Sequence, residues 1–70
     1  MIRKISIGAD YKTAMHYIVG QDILGGKYKI DTIIENEKGY YIYIKKKGEV
    51  AVWKHFNTSY PVAVEFDLNY

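Results

Sequence analysis

The side chains best suited to proton transfer and metal binding at neutral pH are two histidines, His16 and His55. Histidine is the only side chain whose unperturbed pKa lies close to neutrality. A metal site would require both rings to meet a carboxylate such as Asp10 or Glu65. No HxH, HxxxH or HExxH spacing is present to bring such ligands together. The sequence therefore predicts two surface or half-buried histidines, with no metal and no cofactor.

Because cysteine is absent, the candidate nucleophiles for catalysis are the hydroxyl groups of serine and threonine. None of them lies in a sequence context that activates a hydroxyl group. These candidates are Ser6, Ser59, Thr13, Thr32 and Thr58.

The acidic pairs Glu35/Glu37 and Glu65/Asp67 are expected to face solvent. General acid–base catalysis by two carboxyl groups needs a cleft that gives them different pKa values, and 70 residues leave little room for such a cleft. Gly25-Gly26-Lys27 lacks the spacing of a phosphate-binding loop. We therefore predict that the protein is not an enzyme.

One group of residues points to binding, and it lies in the strand-like segment from Lys27 to Lys54. If Tyr40, Ile42 and Ile44 face the core, alternation directs the residues between and after them to solvent. In the following strand either Trp53 and His55 or Lys54 shares this outer side, depending on the register. The candidate binding residues are Tyr41, Tyr43, Lys45, Lys47, Lys27, Lys29, Trp53 and Lys54.

Tyrosines bordered by lysines suit two kinds of partner. Tyrosine is an amphipathic anchor at protein interfaces, and lysines steer an acidic surface toward it. The same pattern is a stacking platform with a basic border, as used for single-stranded RNA or DNA. We favour a protein partner and keep single-stranded nucleic acid as the alternative. Neither the RNP pattern of RRM domains nor a KH-type GXXG loop is present.

The elements that would position these residues are mainly strands. From Lys27 onward, apolar residues recur with period two between polar or Gly-containing turns. Strands are predicted over 27–34, 40–47, 50–56 and 62–68, with a tight hairpin at Gly48 and a twist or bulge near Ile33. In the last strand the expected inward residues are Val62, Val64, Phe66 and Leu68, and the outward ones are Ala63, Glu65 and Asp67.

The amino-terminal third is less regular. Lys4 to Ile7 reads as a short strand. Asp10 is a plausible N-cap, and Tyr11, Ala14, Met15 and Ile18 follow at helical spacing, which predicts a short helix over 11–19. The alternative is a strand over 16–19, because Tyr17-Ile18-Val19 has high β propensity. The predicted fold is α+β and mainly β: a curved antiparallel meander of four to five strands, with an SH3-like or OB-like small barrel possible and one short N-terminal helix.

Length and composition set the remaining expectations. A chain of 70 residues is a single domain, 1–70, with a small core, so we expect support from dense aromatic packing or from a homodimer. No signal peptide or membrane span is evident, which predicts a cytoplasmic protein without membrane contact. Residues 1–48 carry nine Lys/Arg against five Asp/Glu, whereas 49–70 carry one Lys against three acids. Small size and an Ile/Lys/Asn/Tyr-rich composition resemble accessory proteins of phages with AT-rich genomes.

Overall fold

The computed structural model describes residues 1–66, and most of them lie in strands. In chain order the strands are β1 (Ile2–Ile7), β2 (Met15–Ile18), β3 (Asp22–Ile23), β4 (Tyr28–Asn36), β5 (Gly39–Lys46), β6 (Glu49–Phe56) and β7 (Val62–Phe66). A single 3-10 turn, Leu24–Gly26, separates β3 from β4. The prediction of a mainly β, curved antiparallel fold is thus confirmed.

The predicted helix over 11–19 is wrong, and Asp10 shows why. Its carboxylate accepts a hydrogen bond from the backbone N–H of Lys12 at 3.0 Å, and its carbonyl accepts one from Thr13 at 3.1 Å. The side chain therefore caps a turn rather than a helix. The chain then enters β2, where the β propensity around Tyr17 is satisfied by pairing with β1.

The strands form two antiparallel sheets rather than the single meander that the sequence predicts. The first has the order β2-β1-β7, and the second has the order β3-β4-β5-β6. Residues between β2 and β3 join the two sheets. Val19 donates its N–H to the carbonyl of Arg3 in β1, whereas Gly20 donates to the carbonyl of Ile30 in β4. The segment 15–23 thus crosses from one sheet to the other, and the result is a half-barrel.

The core lies between the two sheets and is built largely of isoleucine. The first sheet contributes Ile2, Ile5 and Ile7, and the second contributes Ile30, Ile33 and Ile42. Ile5, Ile30 and Ile42 are the largest side chains that are fully buried. Half-buried side chains extend this core: Val19, Ile23, Tyr40, Trp53, Phe56, Val62 and Val64.

Burial along β5 and β7 tests the predicted alternation. The predicted inward side of β5 is confirmed, because Ile42 and Ile44 are buried and Tyr40 packs on the core. In β7, Val62 and Val64 also pack inward, while Ala63 and Glu65 are exposed. Phe66, which the alternation predicts inside, is exposed, although its cross-strand partner Ile2 is buried. The expectations for Leu68 and Asp67 lie outside the described residues.

Within residues 1–66, no helix is long and apolar enough to cross a membrane.

Candidate binding surface

The side of the second sheet that faces away from the core presents three rows of residues across β4, β5 and β6. We call this surface the outer face. Its rows follow the strand register: Ile34, Tyr41 and His55; then Thr32, Tyr43 and Val52; then Lys29, Lys45 and Val50. The rows sit opposite the buried isoleucines of the same strands because side chains alternate between the two sides of a sheet.

Apolar atoms are unusually accessible on the outer face. Ile34 is 44% exposed, Val50 is 51% exposed and Val52 is 52% exposed, although all three are large aliphatic residues in strands. Tyr41 and Tyr43 lie between them and are half-buried by these neighbours. The outer face is therefore a continuous aromatic and aliphatic surface rather than a set of isolated apolar residues.

One aromatic pair on this surface is held in a fixed geometry. The rings of Tyr41 and His55 stack with centroids 4.4 Å apart and planes 23° apart. His55 Nε2 lies 3.1 Å from the backbone carbonyl of Lys38. A carbonyl can only accept a hydrogen bond, so Nε2 carries the proton and donates it. One side of the Tyr41 ring is consequently covered by the imidazole.

The two lysines of the outer face already have acidic neighbours. Lys29 Nζ lies 2.9 Å from Asp22 Oδ1, and Lys45 Nζ lies 3.9 Å from Asp31 Oδ1. Asp31 reaches this side because it is the extra residue of a bulge between Ile30 and Thr32. The local positive charge that the sequence predicts is therefore largely compensated.

Two predicted binding residues, Lys27 and Lys47, lie at one end of the sheet. Lys27 follows the 3-10 turn and precedes β4, and Lys47 is in the turn between β5 and β6. Both are exposed. The register that pairs Lys29 with Lys45 puts them at the same end. They form a basic border there, beside the outer face rather than on it.

Trp53 and Lys54, in contrast, are not part of the outer face. A bulge between the pairs Ile42–Lys54 and Tyr43–Val52 makes Trp53 an extra residue in β6. Trp53 turns toward the core and meets Tyr17 edge-on, with ring centroids 5.8 Å apart. Lys54 Nζ lies 4.8 Å from the centroid of the Trp53 ring. The bulge thus leaves His55 on the outer face without Trp53 or Lys54, whereas the periodicity groups Trp53 with His55.

A serine and a histidine that the sequence did not connect are brought together by the pairing of β1 with β2. Ser6 and His16 are direct cross-strand partners, and Ser6 Oγ lies 2.7 Å from His16 Nδ1. His16 Nε2 is 3.0 Å from the carbonyl of Tyr11, so Nε2 donates and Nδ1 accepts from the Ser6 hydroxyl. This resembles an activated hydroxyl, but Ser6 is only 5% exposed, so a substrate carbonyl cannot approach Oγ. The pair satisfies a buried hydroxyl group.

The shifted pKa values lie away from the outer face. Burial raises the pKa of Tyr17 above its ordinary value. Burial also raises the pKa of Tyr40, aided by the hydrogen bond that its hydroxyl donates to Glu35 at 3.0 Å. The hydroxyl of Tyr11, 2.9 Å from Lys4 Nζ, raises the pKa of that lysine. Among residues 1–66, no group of three or more His, Asp or Glu side chains is placed to hold a metal ion.

Comparison with known proteins adds no family: no family model, no curated protein and no solved structure matches this chain.

Proposed function

We propose that the protein is a non-enzymatic binding module, of the accessory or regulatory kind, and that its outer face docks on another protein. The observation that carries the proposal is the row structure of that face. Exposed Ile34, Val50 and Val52 border Tyr41 and Tyr43 on three adjacent strands. Burying such a surface releases water from apolar area, and the tyrosine hydroxyls still find polar partners at its rim.

The charge distribution supports a protein partner over single-stranded nucleic acid. Phosphate binding depends on free cations, and both lysines on the outer face are already close to aspartates. Base stacking needs open ring faces, whereas one side of Tyr41 is covered by His55. The exposed border lysines, Lys27 and Lys47, suit a partner whose apolar contact patch has acidic residues along one edge.

The half-barrel that carries the outer face is, on this proposal, a small open barrel of the SH3-like or OB-like kind. Support comes from the segment 15–23, which contributes strands to both sheets. We also propose that the protein acts in the cytoplasm, as its sequence suggests.

The test compares two substitutions of similar exposure. Ile34→Asp introduces a charge beside Tyr41 in the first row of the outer face, and Met15→Asp introduces a charge on β2 of the other sheet, where Met15 is 59% exposed. Each tagged variant is used to capture partners from the native cell extract, with and without nuclease. We expect a captured protein that survives nuclease treatment, is retained by Met15→Asp and is lost with Ile34→Asp.

Other outcomes have definite meanings. Capture that disappears with nuclease and falls steeply with added salt would establish the nucleic-acid alternative. Equal capture by both variants would place the contact elsewhere and refute the role of the outer face. Circular dichroism of both variants confirms that each is folded before it is used.

A further inference from the structure

The outer strand of the second sheet, β6, has the longest free sheet edge among residues 1–66. It spans Glu49–Phe56, contains no proline, and within this part of the chain it pairs only with β5. The longer edge strand of the first sheet, β7, has five residues and begins directly after Pro61, which limits pairing there. An exposed edge strand is a template for adding another strand. Of these two edges, β6 is the one suited to that role.

The backbone of β6 presents its free hydrogen-bonding groups at two valines. The turn before it has two central residues of positive φ, Lys47 at 50° and Gly48 at 85°. The pair that closes such a two-residue turn, Lys46 with Glu49, exchanges both hydrogen bonds. Bonded and non-bonded pairs then alternate along the ladder, so Ala51 bonds to β5 while Val50 and Val52 direct their N–H and C=O groups to the free edge.

We propose that this edge pairs antiparallel with β6 of a second copy of the same chain, with a two-fold axis at Ala51. Val50 then lies opposite the partner subunit's Val52, and Val52 lies opposite the partner subunit's Val50. The backbone N–H and C=O groups of all four valines point toward the other strand, so the two valine pairs form four hydrogen bonds. Both valines belong to the outer face, so their side chains contact one another on the same side of the joined sheet.

Charge supports this self-pairing over pairing with an unrelated strand. With the axis at Ala51, Glu49 lies opposite the partner subunit's Trp53, which is the extra residue of the β6 bulge. The partner subunit's Lys54 is the next residue along, so each Glu49 comes close to a Lys54 across the two-fold axis. Both residues lie on the side of β6 opposite the outer face. Neither takes part in an ion pair within residues 1–66. Lys46, the cross-strand neighbour of Glu49, lies over the Tyr28 ring, and Lys54 lies over the Trp53 ring. In the two-fold dimer, each Glu49 carboxylate gains a neighbouring Lys54 ammonium group.

The dimer joins two outer faces into one sheet of eight strands and brings the two Val50-Val52 pairs together. It stands independently of the proposed docking function, because it rests on the edge of β6 and on charges that are not on the outer face. A loss of dimerisation and a loss of partner capture are therefore separate results.

The experiment uses two charge reversals, Glu49→Lys and Lys54→Glu, in the full chain. Each variant alone places like charges at both symmetry-related contacts. In a one-to-one mixture, the introduced lysine of one variant instead meets the introduced glutamate of the other. The second contact of this heterodimer joins the unchanged Lys54 of the first variant to the unchanged Glu49 of the second, so both contacts are restored. Sedimentation equilibrium of the wild type, each variant and the mixture is recorded from about 1 µM to 1 mM protein.

We expect the wild type to dimerise, each variant to dimerise about tenfold more weakly or worse, and the mixture to recover the wild-type affinity as a heterodimer. Amide NMR spectra of the separate variants establish that each is folded. A wild type that stays monomeric throughout this range would overturn the proposal. A wild-type dimer that both variants preserve would overturn the proposed edge and axis.

Discussion

Gly39 is the glycine whose Cβ position is most closely surrounded by neighbouring atoms. Its φ is 126°, and a Cβ built there would contact the backbone of Phe56 and lie 2.8 Å from the Cα of Asn57. The end of β6 therefore packs directly on the first residue of β5. Gly20 has a similar φ of 91°, but nothing lies within 4 Å of the position of its Cβ.

This contrast separates backbone strain from steric clash. We expect Gly20→Ala to lower the free energy of unfolding by about 1 kcal/mol, the cost of a positive φ alone. Gly39→Ala should cost about 3 kcal/mol or more, because β5 and β6 must also move apart. Urea denaturation of the two variants measures the difference. Equal losses would show that the close approach at Phe56 does not constrain the fold.

The raised pKa of Tyr17 makes stability dependent on pH in the alkaline range. Burial disfavours the phenolate, so the unfolded chain ionises first as the pH rises through the ordinary value of 10.0. Below that pH the stabilisation is complete, and it is lost as the pH approaches the higher folded-state value. Wild-type stability should therefore fall above about pH 10.

The variant Tyr17→Phe isolates this effect. It should lose less stability than the wild type between about pH 9 and pH 11, since phenylalanine has no proton to lose. Lys4 and Tyr40 also have raised pKa values, but they contribute to both proteins. Urea midpoints measured across this range are the test. Parallel curves for the two proteins would contradict the assignment to Tyr17.

At the scale of elements, the turn between β5 and β6 contains a lysine in a backbone conformation that destabilises the fold. Lys47 has a φ of 50° and Gly48 a φ of 85°, the positive values that two-residue hairpin turns of the primed type require. Asparagine tolerates this conformation better than lysine, and Asn-Gly is the preferred pair. Lys47→Asn should therefore raise the unfolding free energy by about 0.5 kcal/mol, and Lys47→Val should lower it by more.

Thermal unfolding followed by circular dichroism checks this pair of substitutions, and both variants remove the same charge. A decrease in stability for Lys47→Asn would indicate that the lysine side chain itself supports the fold.

The sequence predicts an element correctly where the residues of that element determine its conformation by themselves. The strands around Ile42 and Val64 are predictable, because a half-buried strand imposes a period of two on its own residues. Tyr11 to Val19 is not, since its spacing fits a helix and only the pairing of Tyr17 with Ile5 selects the strand. Long-range pairing overrides weak local preference in such segments.

The outer face also contains both residues that local alternation places and residues that only strand pairing places. Tyr41, Tyr43 and Lys45 follow from alternation within one strand. Trp53 does not, because the bulge that turns it inward appears only when β5 and β6 are paired. The compensation of Lys45 by Asp31 likewise requires a bulge in β4. Sequence patterns locate the outer face but not its edges or its net charge.

At the scale of the whole molecule, the two sheets share one core. Ile5 of the first sheet is completely buried with Ile42 of the second, and Tyr17 meets Trp53 across the same interface. Neither sheet has a separate core among the described residues. A chain this small gains too little from burial for one sheet to stay folded alone. The half-barrel is therefore expected to unfold as one cooperative unit.

Ile5→Ala tests this cooperativity from the first sheet, while the single tryptophan reports on the second. Removing a fully buried isoleucine should cost about 2–4 kcal/mol. Circular dichroism and Trp53 fluorescence should lose their signals at the same, lower urea concentration, since Trp53 packs against the sheet that carries Ile5. Ile34→Ala, on the exposed outer face, should change the midpoint little. If fluorescence kept its wild-type midpoint while part of the dichroism was lost earlier, the two sheets would be separate folding units.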